Sequence, residues 1–166
     1  MKSFFPIIIL TALLTACLST PESNKASEDT AWDLSYQLED MSGLTIAVGA
    51  FDTTDVPETL ETTFRNDLST TLAIAFRETE QDHKVVTRDK VDDVFTEQSM
   101  ALEGLTYQET QIRIGQILGA DVLVVGTIIW LEDDLYRSSV QLIETATGVI
   151  IGGSSWDFWF DTESDE

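Results

Sequence analysis

The alternation of apolar and polar positions divides the chain into a series of predicted helices and strands. Residues 44–51 (LTIAVGAF) are almost all apolar and rich in β-forming types, which predicts a strand buried on both faces. From 58 to 78, apolar side chains recur every three or four residues and predict an amphipathic helix. Ahead of both, apolar pairs spaced four apart over 32–38 predict a shorter helix with its cap at Asp29 or Thr30.

Turn and capping residues delimit the elements in the middle of the chain. Residues 84–87 (KVVT) predict a short strand, and Asp89 predicts the cap of the helix that follows. Thr106 and Glu109 have the spacing of a capping box, and Gly119 is placed to end that helix in the left-handed conformation. A glycine inside the same helix, Gly115, predicts a close approach to a neighbouring element.

Three strands complete the predicted domain. Residues 121–130 (DVLVVGTIIW) predict the central strand because no run after the N-terminal one is more hydrophobic. Residues 136–143 alternate between the two faces of a half-buried antiparallel strand, and a turn leads into a last strand over 149–160. The patterns predict a single-domain α/β sandwich, a mixed sheet with helices in the order α-β-α-β-α-α-β-β-β.

The last predicted strand carries aromatic residues on both of its faces. Trp156, Phe158 and Phe160 share one parity and are assigned to the core, whereas Asp157 and Trp159 point the other way. Aromatic residues are frequent hot spots of protein interfaces. Trp159 with Asp157 is therefore the candidate partner surface, and the alternative is that Trp159 packs as a lid over a helix.

The N-terminus has the layout of a secretory signal. Lys2 precedes an apolar stretch, Phe4–Leu14, and small residues stand just before Cys17. The stretch is shorter than the about 20 residues that a bilayer-spanning helix needs. Leu14 to Cys17 resembles the lipobox of bacterial lipoproteins, which implies cleavage before Cys17 and a covalent lipid on it. The alternative is an ordinary signal peptide followed by a chance cysteine.

The chain is accordingly divided into a signal peptide, a lipidated cysteine with a flexible tether, an α/β domain and an acidic tail. Their predicted bounds are 1–16, 17–30, 31–160 and 161–166. Leu18 stands where enterobacterial lipoproteins carry Asp when they are retained in the inner membrane. That resemblance implies the outer membrane, periplasmic face.

The charge restricts the classes of partner. The chain has 9 Lys and Arg against 30 Asp and Glu, and removal of the signal with Lys2 leaves 8 against 30, a balance of −22. Such a surface repels phosphate backbones and anionic lipids, so we expect no nucleic acid and a membrane attachment through the lipid alone. Basic protein surfaces or diffusely held cations are the compatible partners. The alternative is an acidic coat that only keeps the protein solvated.

The sequence offers little that could support catalysis. With Cys17 acylated no thiol remains, and the single histidine, His83, lies in a polar turn where a solvated side chain is expected. We expect no enzyme activity, no catalytic residue, no metal site and no cofactor besides the lipid. Carboxylate pairs such as Asp92-Asp93 leave open a hydrolase or sugar-binding module that also uses Trp130, Trp156 and Trp159.

Three strings of the sequence are similar to the CsgG/FlgO/TolB-amino-terminal group of bacterial envelope proteins. They are VVTRDKVDDVFTEQ, IGQILGADVLVVGTI and VQLIETATGVIIGGS, and the matching positions are Arg88, Glu97, Gln98, Leu118 to Asp121, Gly126, Thr147 and Gly148. The resemblance implies a sandwich of the anticodon-binding-domain type. Lipoproteins of the group act as secretion pores, flagellar envelope factors or activators of peptidoglycan synthases.

Departures from the group favour one branch. The pore member carries extra amphipathic strands for which this chain lacks the length, and an activator working across the cell wall needs a longer tether than 18–30. The FlgO-like branch remains by elimination. The expected function is a non-enzymatic assembly module of a flagellar or secretion machine with envelope-protein partners. Peptidoglycan-synthase activation is the alternative, and homo-oligomerisation stays open.

Overall fold

The computed structural model describes residues 23–86 and 105–160. Several predictions fall outside these residues. They are the signal with Cys17, the helix capped by Asp89, the family positions Arg88, Glu97 and Gln98, and the acidic tail. The described elements are α1 (Ser23–Gln37), β1 (Thr45–Thr54), α2 (Glu58–Glu78), β2 (Lys84–Val86), α3 (Tyr107–Leu118), β3 (Val122–Glu132), β4 (Leu135–Glu144) and β5 (Ile150–Trp159).

The strands form one mixed sheet of five strands in the order β2-β1-β3-β4-β5. The strand β1 is parallel to both β2 and β3, whereas β3, β4 and β5 follow one another as an antiparallel meander. The middle position of β3 confirms the central strand predicted from its hydrophobic run. Parallel neighbours need helical crossovers, which include α2 and α3, while antiparallel neighbours need only short turns.

The helices cover the two faces of the sheet unequally. On the first face, α1 and α2 pack over side chains from β1, β3, β4 and β5, including Val124 and Phe158. On the second face, α3 packs over Ala47, Leu123 and Ile143. The described residues therefore form an α/β sandwich in a single domain, as the sequence predicts.

Helix α1 begins earlier than the sequence predicts. The expected tether extends to Thr30, but the helix starts at Ser23, and Ala26, Thr30 and Ala31 are fully buried. Small residues let α1 approach α2 closely, and the Thr30 hydroxyl donates to the Ala26 carbonyl oxygen 2.7 Å away. Because the polar groups are satisfied within the helix, a segment without large apolar residues can still be buried.

The ends of α3 follow the predicted capping pattern. The Thr106 hydroxyl accepts from the Glu109 amide at 3.3 Å, and the Glu109 carboxylate accepts from the Thr106 amide at 2.9 Å. Gly119 ends the helix with φ 67°. A Cβ on Gly115 would lie 2.9 Å from Thr145 Cγ2, which confirms the predicted close approach.

A side chain of α1 pairs with the outer edge of β5. The Gln37 amide accepts from the Gly153 N–H at 2.9 Å and donates to the Gly153 carbonyl oxygen at 3.1 Å. One side chain thus takes the place that a residue of a further strand would occupy. Unpaired strand edges invite association with other chains, and this contact covers part of the edge. The neighbouring Gly152 leaves room for it, because a Cβ there would collide with Gln37.

Candidate partner-binding surface

The second face of the sheet is not covered evenly by the described helices. Strand register places Arg137, Ser139 and Gln141 of β4 on this face, opposite Asp157, Ser155 and Gly153 of β5. The side chains of Arg137, Gln141, Ser155 and Asp157 are exposed. We call these four residues the open face.

Asp157, one of the two residues of the predicted partner surface, lies on the open face in an ion pair. Arg137 Nε and Nη2 donate to the two carboxylate oxygens of Asp157 at 2.6 and 2.8 Å. The hydrogen bonds from Arg137 lower the pKa of the Asp157 carboxyl, the positive charge of Arg137 lowers it further, and burial opposes both effects. Asp157 therefore offers a neutralised pair rather than a free negative charge.

Trp159 faces away from the first-face core, in register with Leu135. Its side chain is half-buried, and its Nε1 is inaccessible with no hydrogen-bond partner among residues 23–86 and 105–160. The neighbours of opposite parity behave as predicted: Phe158 is fully buried, and Trp156 and Phe160 pack against the first-face core. The partner role of Trp159 stays a prediction.

A cleft of about 180 Å³ opens on the second face beside α3. Its apolar floor includes Val125 and Ile143, and polar side chains from three strands and one helix surround that floor. The lining residues are Asp52, Gln111, Val125, Gly126, Thr127, Ser139, Gln141 and Ile143. No motif in the sequence indicates this cleft, because its residues come from positions 52 to 143 and meet only through strand pairing.

Asp52 reaches the cleft because β1 is longer than predicted. The strand predicted from the sequence ends at Phe51, but β1 continues to Thr54 and pairs Asp52 with Thr127 of β3. A register shift between Val48 and Phe51 precedes this extension. The polar residues of the extension resemble a loop in sequence, and the pairing with β3 makes them a strand.

His83 has a structural position rather than the solvated one expected. Its Nδ1 accepts from the Leu44 N–H at 3.2 Å, so its Nε2, 3.2 Å from the Leu38 carbonyl oxygen, is the donor. Its ring also packs edge-on against the Phe76 ring, with the two ring centroids 4.9 Å apart. His83 therefore ties the end of α1 to the start of β1.

The described residues provide no grouped metal ligands. No three His, Cys, Asp or Glu side chains within 23–86 and 105–160 are arranged to hold an ion. Asp92-Asp93, the example of a carboxylate pair, lies outside this part of the chain. Among the helices that are described, none combines the length and apolar character needed to cross a bilayer.

The five-stranded sheet and the helices on its two faces define an α/β sandwich domain. The chain belongs to the CsgG family: the family model for the curli production assembly/transport component CsgG matches residues 32–149. This confirms the resemblance seen in the sequence, while the FlgO-like branch within it stays a prediction.

Solved structures share the fold at low sequence identity. The C-terminal domain of LpoB from Escherichia coli superposes with a TM-score of 0.58 at 12% identity, covering 81% of this chain and 98% of that one. An NMR structure of E. coli LpoB gives 0.60 at 15% identity, covering 95% and 78%. The corresponding Salmonella enterica domain gives 0.54 at 14% identity, covering 81% and 98%. No curated protein matches the chain.

Proposed function

We propose that this protein is a lipid-anchored envelope protein that acts as a non-enzymatic docking module for another envelope protein. The observation that carries the proposal is the CsgG-family match over residues 32–149. The exposed polar face on β4 and β5 supports it, because such a surface is available to a second protein. In this proposal the lipid on Cys17 holds the domain at the periplasmic face of the outer membrane.

The anchor is testable at one residue, since Cys17 is the only cysteine of the chain. Cys17→Ala should abolish incorporation of labelled palmitate and move the protein out of the outer-membrane fraction. Cys17→Ser is a second variant with the same expectation, because serine keeps the size but lacks the thiol that is acylated. Outer-membrane fractionation of both variants in high salt would contradict the lipid anchor.

Docking is testable with a photocrosslinking residue on the open face. A crosslinker at Ser155 should capture one envelope protein, identified by mass spectrometry, and a crosslinker at Thr70 on α2 is the matched control. Asp157→Lys should reduce the capture from position 155, because it replaces the Arg137 pair with two like charges. Equal capture from both positions, insensitive to Asp157→Lys, would contradict docking through this face.

A second candidate function is activation of peptidoglycan synthesis, and the superposition on the LpoB C-terminal domain favours it. It requires that the purified protein raise the rate of glycan polymerisation by a synthase of the same bacterium. A flagellar role requires instead that deletion impair motility while synthase rates stay unchanged. The two measurements therefore distinguish the synthase-activator role from the flagellar role. The hydrolase alternative is tested separately, by measuring whether the protein releases soluble fragments from purified peptidoglycan.

A further inference from the structure

The cleft on the second face combines an apolar floor with oxygen acceptors around its rim. Val125 and Ile143 supply the floor, and the Asp52 carboxylate and the Thr127 hydroxyl lie on adjacent strands at the rim. The Asp52 side chain is exposed and makes no hydrogen bond or ion pair with any described residue. An apolar floor with a carboxylate at the rim suits a ligand that has an apolar stem and a cationic end.

A buried side chain of the same cleft also lacks a partner. Gln111 lines the cleft, is 2% exposed, and its Oε1 accepts no hydrogen bond from any described residue. The side chain lies across Gly49, where a Cβ would collide with that oxygen. Buried acceptors are rarely left unsatisfied, but this oxygen is inaccessible from the cleft, so a group with several N–H donors would reach it only after the Gln111 side chain turns away from Gly49.

We infer that the cleft binds an arginine side chain of the docking partner, an inference that rests on the proposed function. A guanidinium carries five N–H donors in one plane and no acceptor, which suits a rim of carboxylate, hydroxyl and amide oxygens. The chain's formal charge of −21 attracts a cationic group from a distance. The cleft, with a volume of about 180 Å³, has room for one side chain.

The test uses a blocked arginine, acetyl-arginine-amide, and its neutral isostere, acetyl-citrulline-amide. Titrated at constant ionic strength, the arginine probe should shift the NMR signals of Gln111, Gln141 and Thr127 in a saturable way. The citrulline probe should bind about tenfold more weakly, because hydrogen bonds to a charged donor are stronger than neutral ones. Equal binding of the two probes would overturn the inference.

Two matched variants locate the interaction. Asp52→Asn should remove the preference for arginine over citrulline, whereas Asp55→Asn removes the same charge in the loop just beyond β1 and should leave the preference intact. Asn suits position 55, where φ is 57°. Gln141→Ala, at an exposed site, should weaken both probes without unfolding the domain.

The outcomes separate this inference from the function on which it rests. An arginine response unchanged by Asp52→Asn, with crosslinking from position 155 intact, would overturn the cleft inference alone. Loss of specific crosslinking while arginine still binds in the cleft would contradict the docking function instead. A response equally sensitive to Asp55→Asn would show attraction to the acidic surface as a whole and would also overturn the inference.

Discussion

Individual side chains form contacts that the hydrophobic pattern of the sequence does not predict. Arg137 and Asp157 face each other across β4 and β5, and Gln37 reaches from α1 to Gly153. None of these contacts has a sequence motif, because each joins residues at least 20 positions apart. Their effects can nevertheless be measured one residue at a time.

At this scale, the Asp157→Asn variant should show a pH-dependent loss of stability. The pKa of Asp157 is lowered in the folded protein by the Arg137 hydrogen bonds, so its contribution is present above the unfolded pKa of about 3.9. That contribution disappears as the pH falls through the lowered value. The variant should be slightly less stable than the wild type at pH 7, and the difference should shrink as the pH falls below about 4 and vanish only below the lowered pKa of the folded protein.

The measurement is the urea midpoint of both proteins at neutral and acid pH. The control is the same substitution in an Arg137→Gln background, where the partner is missing and no pH-dependent difference should remain. A difference that persists in that background would assign the effect to something other than the pair.

The sequence predicts the core side of each strand better than it predicts the candidate site. Trp156, Phe158 and Phe160 could be assigned to the first face because strand parity follows directly from spacing. Asp52 and His83 could not, because their surroundings depend on a strand extension and on a loop 39 residues away. Distant pairing, which a single sequence does not encode locally, decides such positions.

The helices differ in how well their ends can be predicted from the sequence. The helix α3 is bounded by a capping box and a left-handed glycine, and both signals are local. The start of α1 has no such signal, since its buried positions are Ala, Ser and Thr. A helix that packs through small residues shows a weak hydrophobic period, so its first two turns resemble a tether.

The capping box predicts a definite cost for its removal. Thr106→Ala should destabilise the domain by about 1 kcal/mol, because the Glu109 amide loses its acceptor. Thr106→Ser keeps the hydroxyl and should retain most of the stability. Both are read from urea unfolding followed by circular dichroism, and equal midpoints for the two variants would contradict a capping role.

The contact between α1 and β5 predicts a change in association as well as in stability. Gln37→Ala should lower stability by about 1 kcal/mol, since the Gly153 N–H and carbonyl lose their partners. It should also promote self-association at high concentration, because it uncovers part of a strand edge. Glu39→Ala, at an exposed position just after α1, is the control in unfolding and sedimentation measurements.

At the scale of the whole molecule, the excess of acidic residues governs the response to salt. A formal charge of −21 repels itself, and the screening length falls from about 30 Å at 0.01 M salt to about 8 Å at 0.15 M. The melting temperature should therefore rise over this range. KCl should act as NaCl does, and a melting temperature that stays flat or falls would show that self-repulsion does not limit stability.

The early start of α1 fixes how far the domain can stand from a membrane. Five residues separate Cys17 from Ser23, and a fully extended chain of that length spans about 20 Å at 3.3–3.6 Å per residue. If Cys17 carries the lipid, the domain is confined to a thin layer against the bilayer, with little freedom to search the periplasm. A partner must then present its binding surface at the membrane itself, and insertion of a flexible linker before Ser23 would relax that requirement.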